Sequence, residues 1–229
     1  MTNQSIKRIL CEKGVTHLYH ANTVATACTF IENNGLLSRG TIEDMGLYQT
    51  SQVSDEIDKE YDVFYDIFFD SVDIHQRSRN VNSYGPIVFV YSIDVLDILP
   101  DDCVRITRDN PIYWNSSMKD EDRYFSSDEE LRLSYQCGRF CQHLVLRHQI
   151  EPLSFGYLEK IIIDDPAEED NKFFDAAHYR LEYLLKKNYL DAPLEVRKCS
   201  SDCGCKNQYS LYSKKYIYYK YHFRNEENL

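Results

Sequence analysis

Apolar and polar positions in this chain follow two periods. Between residues 22 and 35, Val24, Ala27, Cys28 and Ile31 share one face at helical spacing. Asn22 or Thr23 stands where a cap belongs and Gly35 supplies a left-handed stop, so a helix is predicted there. Between Asp55 and Asp70, Ile57, Tyr61, Phe64 and Phe68 recur at helical spacing among acids, which predicts a surface helix whose aromatic stripe packs on the core. Ser127 and Glu130 read as a capping box for a short helix through Tyr135, and Phe173 to Leu190 carries Phe174, Ala177, Leu181 and Leu184 on one helical face ending near Asn188. The other period is that of strands. Ile87 to Tyr91 is a β-branched and aromatic run behind Gly85-Pro86, Leu144 to Leu146 and Ile161 to Ile163 are similar, and Lys214 to Phe223 alternates tyrosines with polar residues as a last strand. No repeat, low-complexity linker or break in composition divides these elements, so residues 1–229 read as a single α+β domain.

Composition narrows the classes of function. With 43% apolar and 14% aromatic residues in 229, the chain can bury a substantial core. No window approaches the ~18 consecutive apolar residues of a membrane span, and the first residues lack the charged start and apolar run of a signal peptide. A cytoplasmic protein without a membrane partner is expected. Cys11, Cys28, Cys103, Cys137 and Cys141 are dispersed among apolar segments, which reads as reduced thiols rather than a secreted disulfide framework. A formal net charge of −11 disfavours a protein that coats duplex DNA by counterion release. Any nucleic-acid contact must be local, along Lys214, Lys215, Lys220 and Arg224 of the tail with Arg139 and Arg147.

Three constellations could carry chemistry. Tyr19-His20-Ala21-Asn22-Thr23 closes an apolar segment at a strand-to-helix turn. There an imidazole can meet a ribose hydroxyl while the free N–H groups of the helix face a phosphate; a capped helix with a satisfied histidine is the structural alternative. Asp73-Ile74-His75-Gln76-Arg77-Ser78-Arg79-Asn80 gathers two arginines and a histidine before Tyr84-Gly85-Pro86. Arginine forks suit phosphate oxygens, so this is the best pyrophosphate clamp of the chain, or else a solvated turn. Gly138 to Arg147 sets Gln142 and His143 at the mouth of a strand. Gln142 can hold a sugar hydroxyl or a base edge, yet it cannot take a proton as a carboxylate would. Cys199, Cys203 and Cys205 form C-x3-C-x-C, with Cys11 or His222 available as a fourth ligand to tetrahedral zinc. The usual C-x2-C pairs are absent, and a hairpin with free thiols is the simpler expectation. No G-x-G-x-x-G, Walker loop, G-x-S-x-G or H-E-x-x-H occurs, which removes Rossmann dehydrogenases, P-loop enzymes, serine hydrolases and zincins.

Leu18-Tyr19-His20, then Gly35-Leu36-Leu37-Ser38, then arginines before an aromatic strand, then a polar residue opening a Leu-Val strand together resemble the DarT-like and CmdT-like family of ADP-ribosyltransferase toxins. The similarity spans most of residues 15 to 165 and is strongest in the first block. It implies an ADP-ribosyltransferase-like split antiparallel sheet with peripheral helices, and NAD as ADP-ribose donor with no metal. In such a site His20 holds a ribose of NAD, with Asn22 or Thr23 near its nicotinamide half, and Arg77 or Arg79 takes the family's arginine position. The family's catalytic glutamate falls on Gln142. Proton removal then passes to His75, His143, Glu129 or Glu130, and Tyr48, Tyr84 or Phe140 could stack on nicotinamide or an unpaired base.

The expected activity is mono-ADP-ribosylation of a base in single-stranded nucleic acid, RNA ahead of DNA, by the toxin of a bacterial antiviral system with a cognate antitoxin as partner. Its rivals are a single-stranded-DNA base transferase, a protein ADP-ribosyltransferase and a non-catalytic nucleotide-binding module.

Overall fold

The computed structural model describes residues 1–77, 84–100, 102–166, 172–200, 203 and 220–224, with the backbone alone at Gln76 and Arg77. Its main sheet has four strands, β1 (His17–Asn22), β4 (Ile87–Ser92), β8 (Leu158–Asp165) and β9 (Leu194–Lys198), in the order β1-β4-β8-β9. The first three run antiparallel and β9 joins β8 in parallel. A second, antiparallel sheet orders β3 (Ile67–Phe69), β6 (Leu144–Leu146) and β5 (Val104–Ile106) as β3-β6-β5, and β2 (Gly35–Leu36) pairs with β7 (Leu153–Ser154). The helices are α1 (Asn3–Glu12), α2 (Val24–Glu32), α3 (Arg39–Asp44), α4 (Asp55–Glu60), α5 (Ile74–Arg77), α6 (Asp120–Arg123), α7 (Asp128–Ser134) and α8 (Lys172–Lys187).

The continuous apolar run of β4 has a physical cause. Ile87, Phe89 and Tyr91 enter the main core with α2 and α8, while Val88 and Val90 pack on the other face with Ile162, Tyr19 and Ala21. A strand covered on both sides needs no polar alternation. The sheets meet at one point. Tyr19 donates its N–H to the Asp70 carbonyl at 3.0 Å, and the Asp70 N–H returns to Tyr19 O at 2.9 Å. That junction, one residue before His20, is where the sheet is split.

Several predicted elements change. The helix predicted for 22–35 is α2, capped by the Thr23 hydroxyl toward Thr26 N. Its left-handed residue is Asn34 (φ 54) rather than Gly35, which pairs with Ser154 in β2. The Asp55–Asp70 stretch is two elements, because Asp62 takes φ 59 after α4 and the chain then extends into β3. The apparent aromatic stripe therefore joins residues of a helix, a turn and a strand. Ser127 caps α7, but the Glu130 carboxylate reaches Ser126 N at 3.1 Å instead of closing the box on Ser127. In the tail, Lys220 and Tyr221 are helical, and Lys214 to Tyr219 of the predicted last strand lie outside the described residues. No described helix is long and apolar enough to cross a membrane.

Candidate active site

A cavity of about 640 Å³ lies along the junction of the two sheets. Tyr19, His20, Ala21 and Asn22 reach it from β1, Thr23 and Thr26 from the start of α2, and Ile67, Phe68 and Asp70 from around β3. Ligand sites of this kind span roughly 300–1,000 Å³. Phe30, Leu37, Ile42 and Phe64 give part of its wall an apolar surface, and polar side chains such as Thr26, Gln49, Asp58 and Asn110 line the rest.

His20 lies within β1, opposite Phe89, and the strand runs on to Asn22, so the strand-to-helix turn falls at Thr23. Its ring is held between Phe30 and Phe69, with centroids 5.6 and 5.8 Å away. Nδ1 lies 2.9 Å from the Phe68 carbonyl, and a carbonyl can only accept, so Nδ1 carries the proton and Nε2 keeps its lone pair. Burial pushes this histidine below its ordinary value of 6.5, which holds the ring neutral at physiological pH. Nε2 is buried and has no hydrogen-bond partner among the described residues.

Two more polar atoms on the cavity wall share that state. Arg39, the first residue of α3, sends Nε and Nη2 to the Asp55 carboxylate at 2.5 and 2.8 Å, and Nη2 also to the Thr50 carbonyl. Its Nη1 is buried without an acceptor. Gln49 donates Nε2 to the Arg39 carbonyl at 2.9 Å, and its Oε1 has no donor. Buried polar groups are nearly always paired, so these three atoms of cavity-lining residues, one acceptor on β1 and a donor and an acceptor beside α3, are where a polar ligand could be held. At the mouth of α2, Thr23 Oγ1 meets Thr50 Oγ1 at 2.6 Å, and Thr26 Oγ1 accepts from Thr50 N at 3.0 Å. Asn22 turns its Oδ1 back onto Thr23 N at 2.9 Å.

The predicted residues separate accordingly. His20, Asn22, Thr23, Tyr84 and Phe140 line the cavity, and so does Lys220. Tyr48 is not among the lining residues; the Arg224 guanidinium sits 4.0 Å from its ring centroid. Gln142 is buried with its amide used by the loop before β6, accepting from Gln136 N at 2.8 Å and donating to Ser134 O at 3.2 Å. The residue of that pair that reaches the cavity is His143. Its Nε2 faces the Asn110 amide Nδ2 at 3.3 Å and its Nδ1 lies 3.6 Å from Asp70 Oδ1. Because Nδ2 of Asn110 is a donor, Nε2 accepts and the Nδ1 proton points to Asp70. His75 lies away from the cavity lining, against Asp164 and Cys203. Glu130 pairs with Arg108 and Glu129 is exposed on α7. Arg79 and the Arg77 side chain lie outside the described residues, and Arg147 is committed to Asp66 at 2.8 Å.

The sequence pattern missed Arg39, Gln49 and the cavity acids Asp58, Asp66 and Asp70. The signal for Arg39 was its place directly after Gly35-Leu36-Leu37-Ser38, at the first helical position behind a serine cap. Carboxylates, absent from the Gln142 position, enter the cavity from elsewhere. Burial raises Asp58 to about 6. Asp66 is raised by burial against the pull of Arg147. Burial also lowers Lys220 to about 8. One further constraint shapes the wall: Gly85 has φ 147, and a Cβ there would stand 2.3 Å from Asn22 O and 2.5 Å from Thr23 N. Only glycine lets the chain leading into β4 press against the junction of β1 and α2.

No protein-family model matches the chain, and no curated protein matches it. Solved structures of DarT from Thermus sp. 2.9 are similar to it. The complex with ADP-ribosylated ssDNA is 13% identical at a TM-score of 0.49, over 80% of this chain and 95% of that one. The complex with NAD+ is 15% identical at 0.46, over 80% and 96%. The complex with carba-NAD+ is 14% identical at 0.43, over the same shares. These neighbours belong to the family that the residue order resembles.

Proposed function

We propose that this chain transfers ADP-ribose from NAD to a base of single-stranded nucleic acid. The observation that carries the reading is the buried, neutral, unpartnered Nε2 of His20 in one cavity with the free Nη1 of Arg39. The first needs a hydroxyl donor and the second an anionic or carbonyl acceptor, and NAD supplies ribose hydroxyls and a pyrophosphate. Arg39 takes the phosphate-facing role that the sequence assigned to Arg77 or Arg79. Thr23 and the start of α2 add donors and a positive dipole end.

Breaking the bond between nicotinamide and ribose leaves positive charge on the sugar, which the carboxylates of Asp58 and Asp70 oppose. The base nitrogen that attacks must lose a proton, and His143 Nε2 accepts it once the Asn110 amide, which donates to that lone pair at 3.3 Å, turns aside, while Asp70 steadies the resulting imidazolium through Nδ1–H. His143 is thus the catalytic group next to Gln142, which positions the loop. Tyr84 and Phe140 offer ring faces for a splayed-out base. The acidic balance disfavours a duplex coat, and RNA stands ahead of DNA as the strand. By the family resemblance the protein acts as a toxin of phage defence, silenced by an antitoxin.

Labelled NAD offered with purified RNA, single-stranded DNA and lysate protein sorts the readings. Label on a single strand, RNA above DNA, is the expected outcome. Label on protein alone would establish the protein transferase instead, and no label with tight NAD binding would leave a binding module. Strong expression of the wild-type chain should arrest growth where His20→Phe is tolerated.

A further inference from the structure

We propose that His75, Cys199 and Cys203 form a structural zinc site, separate from the cavity. Their donor atoms lie within 4.8 Å of one another, with Cys203 Sγ 3.3 Å from His75 Nε2. Tetrahedral zinc with bonds of ~2.3 Å to sulfur and ~2.0 Å to nitrogen sets its ligands roughly 3.5–3.8 Å apart, so a small closure of this cluster suffices. The sequence spacing had pointed to Cys11 or His222 as partner; the fold delivers His75, from 124 positions upstream of Cys199.

What surrounds the histidine favours a metal. His75 Nδ1 lies 3.2 Å from Asp164 Oδ2, and the Asp164 side chain is buried. Asp164 is fixed in turn by Arg197 Nε at 2.6 Å, and Arg197 also pairs with Asp73 just before α5. A proton on Nδ1, held by this carboxylate, turns the Nε2 lone pair toward the cysteines. Carboxylate, histidine and metal in that order are the usual support of a zinc ligand. A reactive-cysteine pair would need Cys203 and His75 only; buried Cys199, tied by its N–H to Asp165 O at 2.8 Å, supplies the third donor that a metal requires. A turn closed by Cys203 N onto Ser200 O brings the second thiol round. Binding exchanges two thiol protons for one divalent cation, with water or a further donor in the fourth position. The ion would pin α5, and the Arg77 that ends it, to the ends of β8 and β9.

The test uses the full chain, purified under reductant without a metal-affinity step. Metal analysis should find about one zinc per chain. Cobalt replacing it should give thiolate charge-transfer bands and the visible bands of a tetrahedral site. Cys199→Ser, Cys203→Ser and His75→Gln should each lose the stoichiometric metal, Cys141→Ser should retain it, and Asp164→Asn should weaken zinc binding by ~10–100-fold. If the variants do not fold, zinc titration of the stripped wild-type chain decides, by release of about two protons per ion. No saturable zinc uptake by the reduced chain overturns the proposal. So does retention of stoichiometric zinc by Cys203→Ser and His75→Gln. None of these readouts involves NAD, so the outcome is independent of the proposed transfer activity.

Discussion

Replacing His20 by phenylalanine separates ligand recognition from packing. The new ring keeps the volume between Phe30 and Phe69, whose centroids stand 5.6 and 5.8 Å from the imidazole. Two polar features vanish. The Phe68 carbonyl loses its Nδ1–H donor at a cost of ~1–3 kcal/mol, and the buried orphan Nε2, which costs the free protein ~1–3 kcal/mol in lost hydration, is removed. Loss of the first and relief of the second offset one another, so the unliganded variant should melt close to the wild type. In the complex the account runs one way only. A ribose hydroxyl left against a C–H loses ~1–3 kcal/mol, which is a ~5–150-fold weaker NAD affinity. Calorimetric titration with NAD and a thermal melt of the same preparations read both quantities. A large fall in melting temperature with unchanged NAD affinity would refute the reasoning and leave His20 a core residue.

Other consequences follow from the same wall. Lys220, lowered by burial to about 8, is charged below that pH and neutral above it, so binding of the anionic donor should weaken as pH rises through about 8; Lys220→Arg, which stays charged, should flatten the profile of Kd against pH. Asp58 has its folded-state value raised to about 6 from an ordinary 3.8, so the stability it gives is complete below ~4 and lost as pH rises through about 6. Asp58→Asn should therefore raise the melting temperature at neutral pH and remove that step, while slowing transfer. Gln142→Ala should lower stability by ~1–3 kcal/mol in denaturant titrations, since two backbone groups lose their partner, with transfer per folded molecule preserved. His143→Ala should keep NAD binding and lose ~100–10,000-fold in turnover. Gly85→Ala should disturb the Thr23 cap, seen as a destabilised chain whose NAD affinity falls with it.

The sequence is most legible where one physical demand dominates. Ile87 to Tyr91 reads as a strand because both its faces are covered, and α8 because Ala177, Leu181 and Leu184 recur along one buried face. The Asp55–Asp70 segment misleads because spacing alone does not reveal the left-handed turn at Asp62, which any asparagine or aspartate can take without a glycine to mark it. Gln142 and His143 show a second limit. Pattern finds the mouth of the strand, but neighbouring residues point to opposite sides, and only the tertiary packing selects His143 for the cavity. Arg39 reads as an exposed helix start until Asp55 and Thr50 enclose its guanidinium. His75 and Cys203 are brought together by the pairing of β8 with β9, which no local spacing encodes.

The transfer reaction itself is tested most directly by intact mass. Defined single-stranded RNA and DNA oligonucleotides, covering each base, are incubated with NAD and either the wild-type chain, His20→Phe or His143→Ala. The account predicts the mass gain of one ADP-ribosyl group on a strand with the wild type, RNA above DNA, and its loss or strong reduction with both variants. No gain on any strand, or an undiminished gain with His20→Phe and His143→Ala, would contradict it.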